Sequence, residues 1–355
     1  MLHLGKEPRP SGLTRRGLTL AIGKRLLPPA FDDKADFPDL AWGGRTMTES
    51  IGRRDCLYYA ALALSACVIC GIPAAGAAAK VKDTPAGFAA IKGARLYYEI
   101  AGNGAFVVLI HGNAGDRRHW DLQFPQLAKE FCVIRFDARG YGLSSVPVDD
   151  VPYSDHEDLA ALLDQLGVAK AHLVGWSMGS ATAIDFAIRF PERTLSVTAL
   201  GPWVAGYASS AADEVFAGFA QVVAAARQGG PEGALRAFVD APFFVRATRD
   251  LAARAQFERI AADYSFWAFS HHDPRRSLDP PAAKRLTEIA APTFVLTGEH
   301  DIPACIEISE LIDRDVRNST SIVIAGAGHL LHMERAAEVN EYIERFLVAT
   351  ERTSP

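Results

Sequence analysis

Three observations in the chain predict an α/β fold, a mostly parallel sheet flanked by helices with a helical cap inserted between the sixth and seventh strands. Short apolar runs alternate with stretches of helical spacing, the pattern of strands joined by crossover helices. One such run, Ala171-His172-Leu173-Val174, leads through Gly175-Trp176-Ser177-Met178-Gly179 straight into a helical stretch. An Ala-rich, aromatic-studded insertion, 203–284, interrupts the alternation late in the chain. With 355 residues and a hydrophobic share of 49%, the chain can bury a large core. A net charge of −5, with no basic helix and no zinc-spaced cysteine set, carries no footprint of nucleic-acid binding.

The first segment, 1–46, is rich in Pro, Gly and Arg without sustained periodicity and reads as a disordered extension or a mis-assigned start, Met47 being the preferred initiator. Segment 47–79 reads as an export signal: a positive stretch at Arg53-Arg54, an apolar run from Tyr58 to Ile72, and the small residues Ala77-Ala78-Ala79. The arginine pair with Leu57 close behind resembles a twin-arginine signal. A Sec signal, a retained membrane anchor, and a lipidated Cys67 within Leu64-Ser65-Ala66-Cys67 are the alternatives. These place the protein outside the cytoplasm, with membrane contact only through an uncleaved or lipidated signal.

The core is expected over 80–202 and 285–355. Ala94 to Ile100 alternates as a half-exposed strand, and Phe106 to Ile110, Val133 to Phe136, Leu173 to Trp176 and Val197 to Leu200 read as buried strands. Two more, Thr293 to Thr297 and Ser321 to Ile324, follow the insertion. Helical spacing marks Asp155 to Leu166 and Met178 to Phe190, with Leu159, Leu162, Leu163 and Leu166 on one face. The insertion reads as a helical cap whose aromatics, from Phe243-Phe244 to Phe269, form mainly its own core. Cys132 reads as an inert buried thiol, and nothing in the spacing supports its pairing with Cys305.

Chemistry concentrates at the strand ends. A serine at the tip of a strand-to-helix turn projects its hydroxyl into a cleft, and flanking glycines avoid a clash there. The N–H of Met178, at the helix N-terminus, is placed for a developing oxyanion, and His111-Gly112-Asn113, after another strand, offers the N–H of Asn113 as second donor. Downstream, Gly298-Glu299-His300-Asp301 supplies two carboxylates and Gly326-Ala327-Gly328-His329 a histidine on a loop. His332 competes with His329, but it falls in the next helix. His271-His272-Asp273 lacks a partner cluster for a metal and reads as a solvated turn.

These residues, together with Phe136-Asp137-Ala138-Arg139-Gly140-Tyr141-Gly142-Leu143-Ser144-Ser145, resemble the α/β-hydrolase superfamily from about Phe88 to Leu347, and within it the cofactor-free esterases, enol-lactonases and non-haem peroxidase-like enzymes. The resemblance favours Asp301 over Glu299 as the acid. It disfavours haloalkane dehalogenases and epoxide hydrolases, which carry aspartate where this chain has Ser177. It implies acyl transfer by Ser177, His329 and Asp301 on an ester or lactone, with no cofactor and no metal; a cap without recognisable polar anchors points to an apolar pocket of modest size and a small, largely apolar substrate. Carbon–carbon bond hydrolysis, perhydrolysis and a non-catalytic exported binding protein are the rival readings.

If segment 47–79 is a cleaved signal, native protein begins near Lys80. N-terminal sequencing reads this directly; a chain that keeps 47–79 and fractionates with membranes contradicts it.

Overall fold

Runs such as Phe106–Ile110 and Ala171–Trp176 carry apolar side chains at nearly every position, so each must be covered on both faces. A sheet with helices on either side provides that cover. A computed structural model describes residues 86–353; the expected extension 1–46 and signal 47–79 lie outside the described residues.

Eight strands form one sheet in the order β1-β2-β4-β3-β5-β6-β7-β8. They are β1 (Ala86–Ile91), β2 (Ala94–Ala101), β3 (Phe106–Ile110), β4 (Cys132–Phe136), β5 (Ala171–Trp176), β6 (Thr194–Leu200), β7 (Thr293–Gly298) and β8 (Ser319–Ile324). From β4 onward across the sheet every pairing is parallel, while β1–β2 and β2–β4 are antiparallel. β1 is absent from the sequence reading, because Ala86-Gly87-Phe88-Ala89-Ala90-Ile91 has little β-branched content; the hairpin partner β2 supplies the pairing instead.

The helices are α1 (Phe124–Leu127), α2 (Asp155–Leu166), α3 (Met178–Arg189), α4 (Ser210–Val239), α5 (Pro242–Arg246), α6 (Leu251–Ala261), α7 (Trp267–Ser270), α8 (Pro303–Asp315), α9 (Leu331–Glu334) and α10 (Ala336–Thr353). α2 buries the expected Leu159, Leu162 and Leu163. Among the described residues no helix is long and apolar enough to cross a membrane.

α4 to α7 lie between β6 and β7. α4 breaks at Gly230, ahead of Pro231, whose missing N–H and ring bar a continuous helix. Polar ties fasten these helices to the sheet half. The Arg276 N–H donates to the Tyr153 carbonyl at 2.8 Å, Arg118 pairs with Asp263 at 2.8 Å, and Glu307 of α8 accepts from Tyr207 Oη at 2.9 Å and Ser209 Oγ at 2.6 Å.

The central strands deliver their carboxyl ends to one edge, where open parallel sheets bind ligands. Close packing there is enforced by α3 lying on β3: a Cβ on Gly179 would fall 2.1 Å from the Ile110 carbonyl oxygen. Gly179→Ala is therefore expected to lower stability by about 1–3 kcal/mol, as overpacked cores do. A urea midpoint equal to that of the unsubstituted protein would show that α3 can back away.

Candidate active site

β5 ends at Trp176 and α3 begins at Met178, so Ser177 alone makes the turn, at φ 54° and ψ −117°. Such a conformation costs a non-glycine residue on the order of 1–3 kcal/mol and persists only where the surroundings enforce it. Here β5 is fully buried between β3 and β6, and the Ser177 N–H donates to the Leu200 carbonyl at 2.9 Å.

The loops after β7 and β8 bring the expected partners to that hydroxyl. Ser177 Oγ lies 3.1 Å from His329 Nε2, and His329 Nδ1 lies 2.7 Å from Asp301 Oδ1. A ring N–H on Nδ1 donating to the carboxylate leaves Nε2 as acceptor for the serine hydroxyl. The carboxylate is itself held by the N–H groups of Ile302, at 2.7 Å, and Gly298, at 3.3 Å. Gly201, at the end of β6, makes room for the pair: a Cβ there would stand 2.9 Å from His329 Nδ1 and 3.1 Å from Asp301 Oδ2. Trp176 Nε1 donates to the His329 carbonyl at 2.8 Å, and the His329 N–H donates to the Ala247 carbonyl just past α5.

The competing residues stand outside the line from Ser177 to Asp301. Glu299 is exposed, and its carboxylate receives the Gly326 N–H at 2.8 Å. His332 is fully buried against Trp176 and Trp120, with ring centroids 4.7 and 5.2 Å away. Burial, and then the nearby His329, push its imidazole down to about 3.

Asn113 and Met178 both line the cleft with Ser177 and His329. Neither backbone N–H donates to a protein acceptor among the described residues, and Met178, first in its helix, has no preceding turn to receive its own. The Asn113 side chain is fixed, its Oδ1 accepting from the Ala114 N–H at 2.7 Å and from Tyr141 Oη at 3.1 Å. Tyr141 thus links the Asp137-to-Ser145 turn to the site, a role the sequence did not reveal.

The cleft opens into a cavity of about 440 Å³. One part is walled by Phe216, Phe219, Phe238, Phe243, Phe244 and Phe269, so several cap aromatics face the cavity, whereas Phe257, Tyr264 and Phe266 stay in the core. The rest departs from the expected apolar lining, for Asp155, Asp185, Asp273 and Arg275 also reach it. Arg275 sits 3.2 Å from Asp155 and 3.3 Å from Asp273, and its Nη1 approaches Met178 Sδ at 3.0 Å. Asp273 is therefore part of a polar wall, although His271 and His272 are exposed as expected of a turn.

Cys132 and Cys305 are both free and buried. Cys305 lines the cavity, and its sulfur lies within 4.8 Å of one ligand-type atom each on Asp301 and His329. Asp301 and His329 already bond each other, and burial pushes the Cys305 thiol well up, so this cluster reads as a hydrogen-bonded acid and histidine with a packing thiol beside them.

A strained serine between strand and helix, joined to a histidine and an acid on later strand ends, defines the nucleophile-bearing class of α/β enzymes. The chain belongs to the α/β-hydrolase fold family, whose profile matches residues 106–336. It is 31% identical over 260 residues to the dihydrolipoyllysine-residue acetyltransferase component of the acetoin cleaving system of Pseudomonas putida, covering 72% of this chain and 67% of that one. It is 28% identical over 264 residues to a 2-hydroxy-6-oxo-6-phenylhexa-2,4-dienoate hydrolase of Comamonas testosteroni, covering 71% and 91%. The enol-lactonase of Burkholderia xenovorans LB400 superposes with a TM-score of 0.61 at 25% identity, covering 74% of this chain and all 100% of that one.

Because the folded pKa of His332 lies below its ordinary 6.5, the unfolded chain takes up this proton first, and stability falls as pH drops below about 6.5. His332→Phe is expected to remove on the order of 2 kcal/mol of the loss between pH 7 and pH 5. Urea unfolding at both pH values measures it; equal losses in the two proteins contradict the assignment.

Proposed function

We propose that the protein is a serine hydrolase that cleaves a carboxylic ester or lactone of a small, largely apolar substrate through an acyl-enzyme intermediate. The observation that carries this reading is the continuous line from Ser177 Oγ through both nitrogens of His329 to Asp301, at 3.1 and 2.7 Å. His329 Nε2 takes the serine proton as Oγ attacks the carbonyl carbon. Asp301 keeps the imidazole in the required tautomer and stabilises the imidazolium. The N–H groups of Met178 and Asn113 receive the oxyanion, each such donor contributing about 2.7–4 kcal/mol in comparable sites. His329 then protonates the departing alkoxide, deprotonates a water, and the acyl group leaves as the acid.

Similarity to a lactonase supports the substrate class, since a lactone is a cyclic ester. Similarity to a dienoate hydrolase favours carbon–carbon bond hydrolysis as the second reading; the same groups serve it, and product analysis separates the two. We assign the activity to the outside of the cytoplasm on the strength of Arg53-Arg54 and the apolar run that follows.

Residues acting as one unit lose nearly all their benefit together. Ser177→Ala and His329→Ala are each expected to lower kcat on a p-nitrophenyl ester by on the order of 10⁴-fold or more, and the double variant scarcely further. Asp301→Asn is expected to cost roughly 10⁴-fold by favouring the wrong tautomer. Glu299→Gln, remote from the proton path, is expected to change kcat less than about tenfold. A Glu299 effect as large as that of Asp301 would reassign the acid.

A further inference from the structure

The cavity wall on α3 is written in helical steps. Met178, Ala181, Thr182 and Asp185 all face the cavity, the spacing that stacks side chains on one helix face. Seven residues at 1.5 Å per residue set Asp185 about 10 Å along the helix from the oxyanion donor Met178. Asp185 is buried, at 5% exposure, and its Oδ1 has no hydrogen-bond partner among the described residues. His156 Nδ1 stands 3.8 Å from its other oxygen, beyond hydrogen-bond reach. A carboxyl at this place adds nothing to packing that a leucine would not do better, and a buried acceptor left unmet is costly.

Neighbouring charges sharpen the demand. Asp155 and Asp273 are both engaged by Arg275, so among the described residues Asp185 is the carboxyl in this part of the cavity without a guanidinium in contact. Burial, offset in part by the Leu278 N–H, lifts Asp185 to about 7. It therefore exists near neutrality as both carboxylate and acid, and a substrate group that donates a hydrogen bond favours the former.

Direction follows from the triad. The leaving oxygen must stand at His329 Nε2 and the carbonyl oxygen at the N–H groups of Met178 and Asn113, so the part of the substrate that continues along α3 is the acyl chain. We propose that Asp185 is a specificity-determining residue, a recognition point for a hydrogen-bond donor, hydroxyl or protonated amine, at the far end of the acyl chain. This rests on the ester-hydrolase reading for its direction, and an extended acyl chain of about eight carbons spans the 10 Å from Met178 to Asp185. Between those two ends α3 presents Ala181 and Thr182 to the cavity, so the preferred acid is slender along its length and carries its donor at the tip.

Binding to Ser177→Ala protein, measured by calorimetry, reads the subsite apart from chemistry. Methyl 8-hydroxyoctanoate is expected to bind on the order of tenfold or more tightly than methyl nonanoate, its near-isostere. An 8-ammonio ester shares the preference and an 8-carboxy ester does not. Adding Asp185→Leu should bring hydroxy and methyl esters within about threefold of each other, while Asp185→Asn, which still accepts from a hydroxyl, keeps that preference and loses the one for ammonium. Each comparison is a ratio on one protein, so a reduced folded fraction cancels. Equal affinity of the hydroxy and methyl esters overturns the proposal, as does a preference that survives Asp185→Leu. Turnover of the hydroxy ester by unsubstituted protein tests the other reading separately: tight, selective binding without turnover retains the subsite and rejects ester hydrolysis.

Discussion

The backbone at Ser177, with φ 54° and ψ −117°, is a conformation the chain would not adopt unaided, and the surrounding fold is arranged to impose it. β5 supplies a rigid start, buried along its whole length between β3 and β6. α3 supplies the other end, seated so close to β3 that only a glycine at 179 fits beneath the Ile110 carbonyl. With both sides fixed, the single residue between them absorbs the reversal. Its hydroxyl then points to the sheet edge where the loops after β7 and β8 arrive. The parallel order β5-β6-β7-β8 brings Asp301 and His329 to the same edge without a special device for either.

Positioning of His329 depends on the insertion as well as on the sheet. The His329 N–H donates to Ala247, a residue of the segment between β6 and β7, while its carbonyl accepts from Trp176 on β5. The backbone of His329 is thus braced from the insertion on one side and from β5 on the other. The same insertion brings Arg275 and Asp273 beside Asp155 and gives the cavity its charged wall. The setting of His329 and the charged wall of the cavity therefore share one structural support.

Much of this was legible in local sequence. A glycine-flanked serine after an apolar run, and a glycine-flanked histidine after another, announce their own turns within a few residues. The bordering strands were legible for the same reason, being short, apolar and buried on both faces. β1 was not, since Ala86 to Ile91 lacks the residues that favour strands and owes its form to pairing with β2. The mixed character of the cavity was hidden for a different reason. Periodicity places Met178, Ala181, Thr182 and Asp185 on one helix face, but which face meets the insertion is a tertiary fact. Arg275 and Asp273 lie beside a proline in a stretch with no regular period, so nothing local marks them as inward-facing. Tyr141 sat within a recognisable turn, yet its reach to Asn113 depends on how that turn packs.

The proposed chemistry rests on Ser177 being an activated nucleophile in the folded protein. Intact-protein mass spectrometry after exposure to an alkyl fluorophosphonate, followed by peptide mapping, tests it most directly. A single phosphonyl adduct, carried by Ser177, is expected. Folded protein that stays unmodified, or that carries its adduct on another residue, would contradict it.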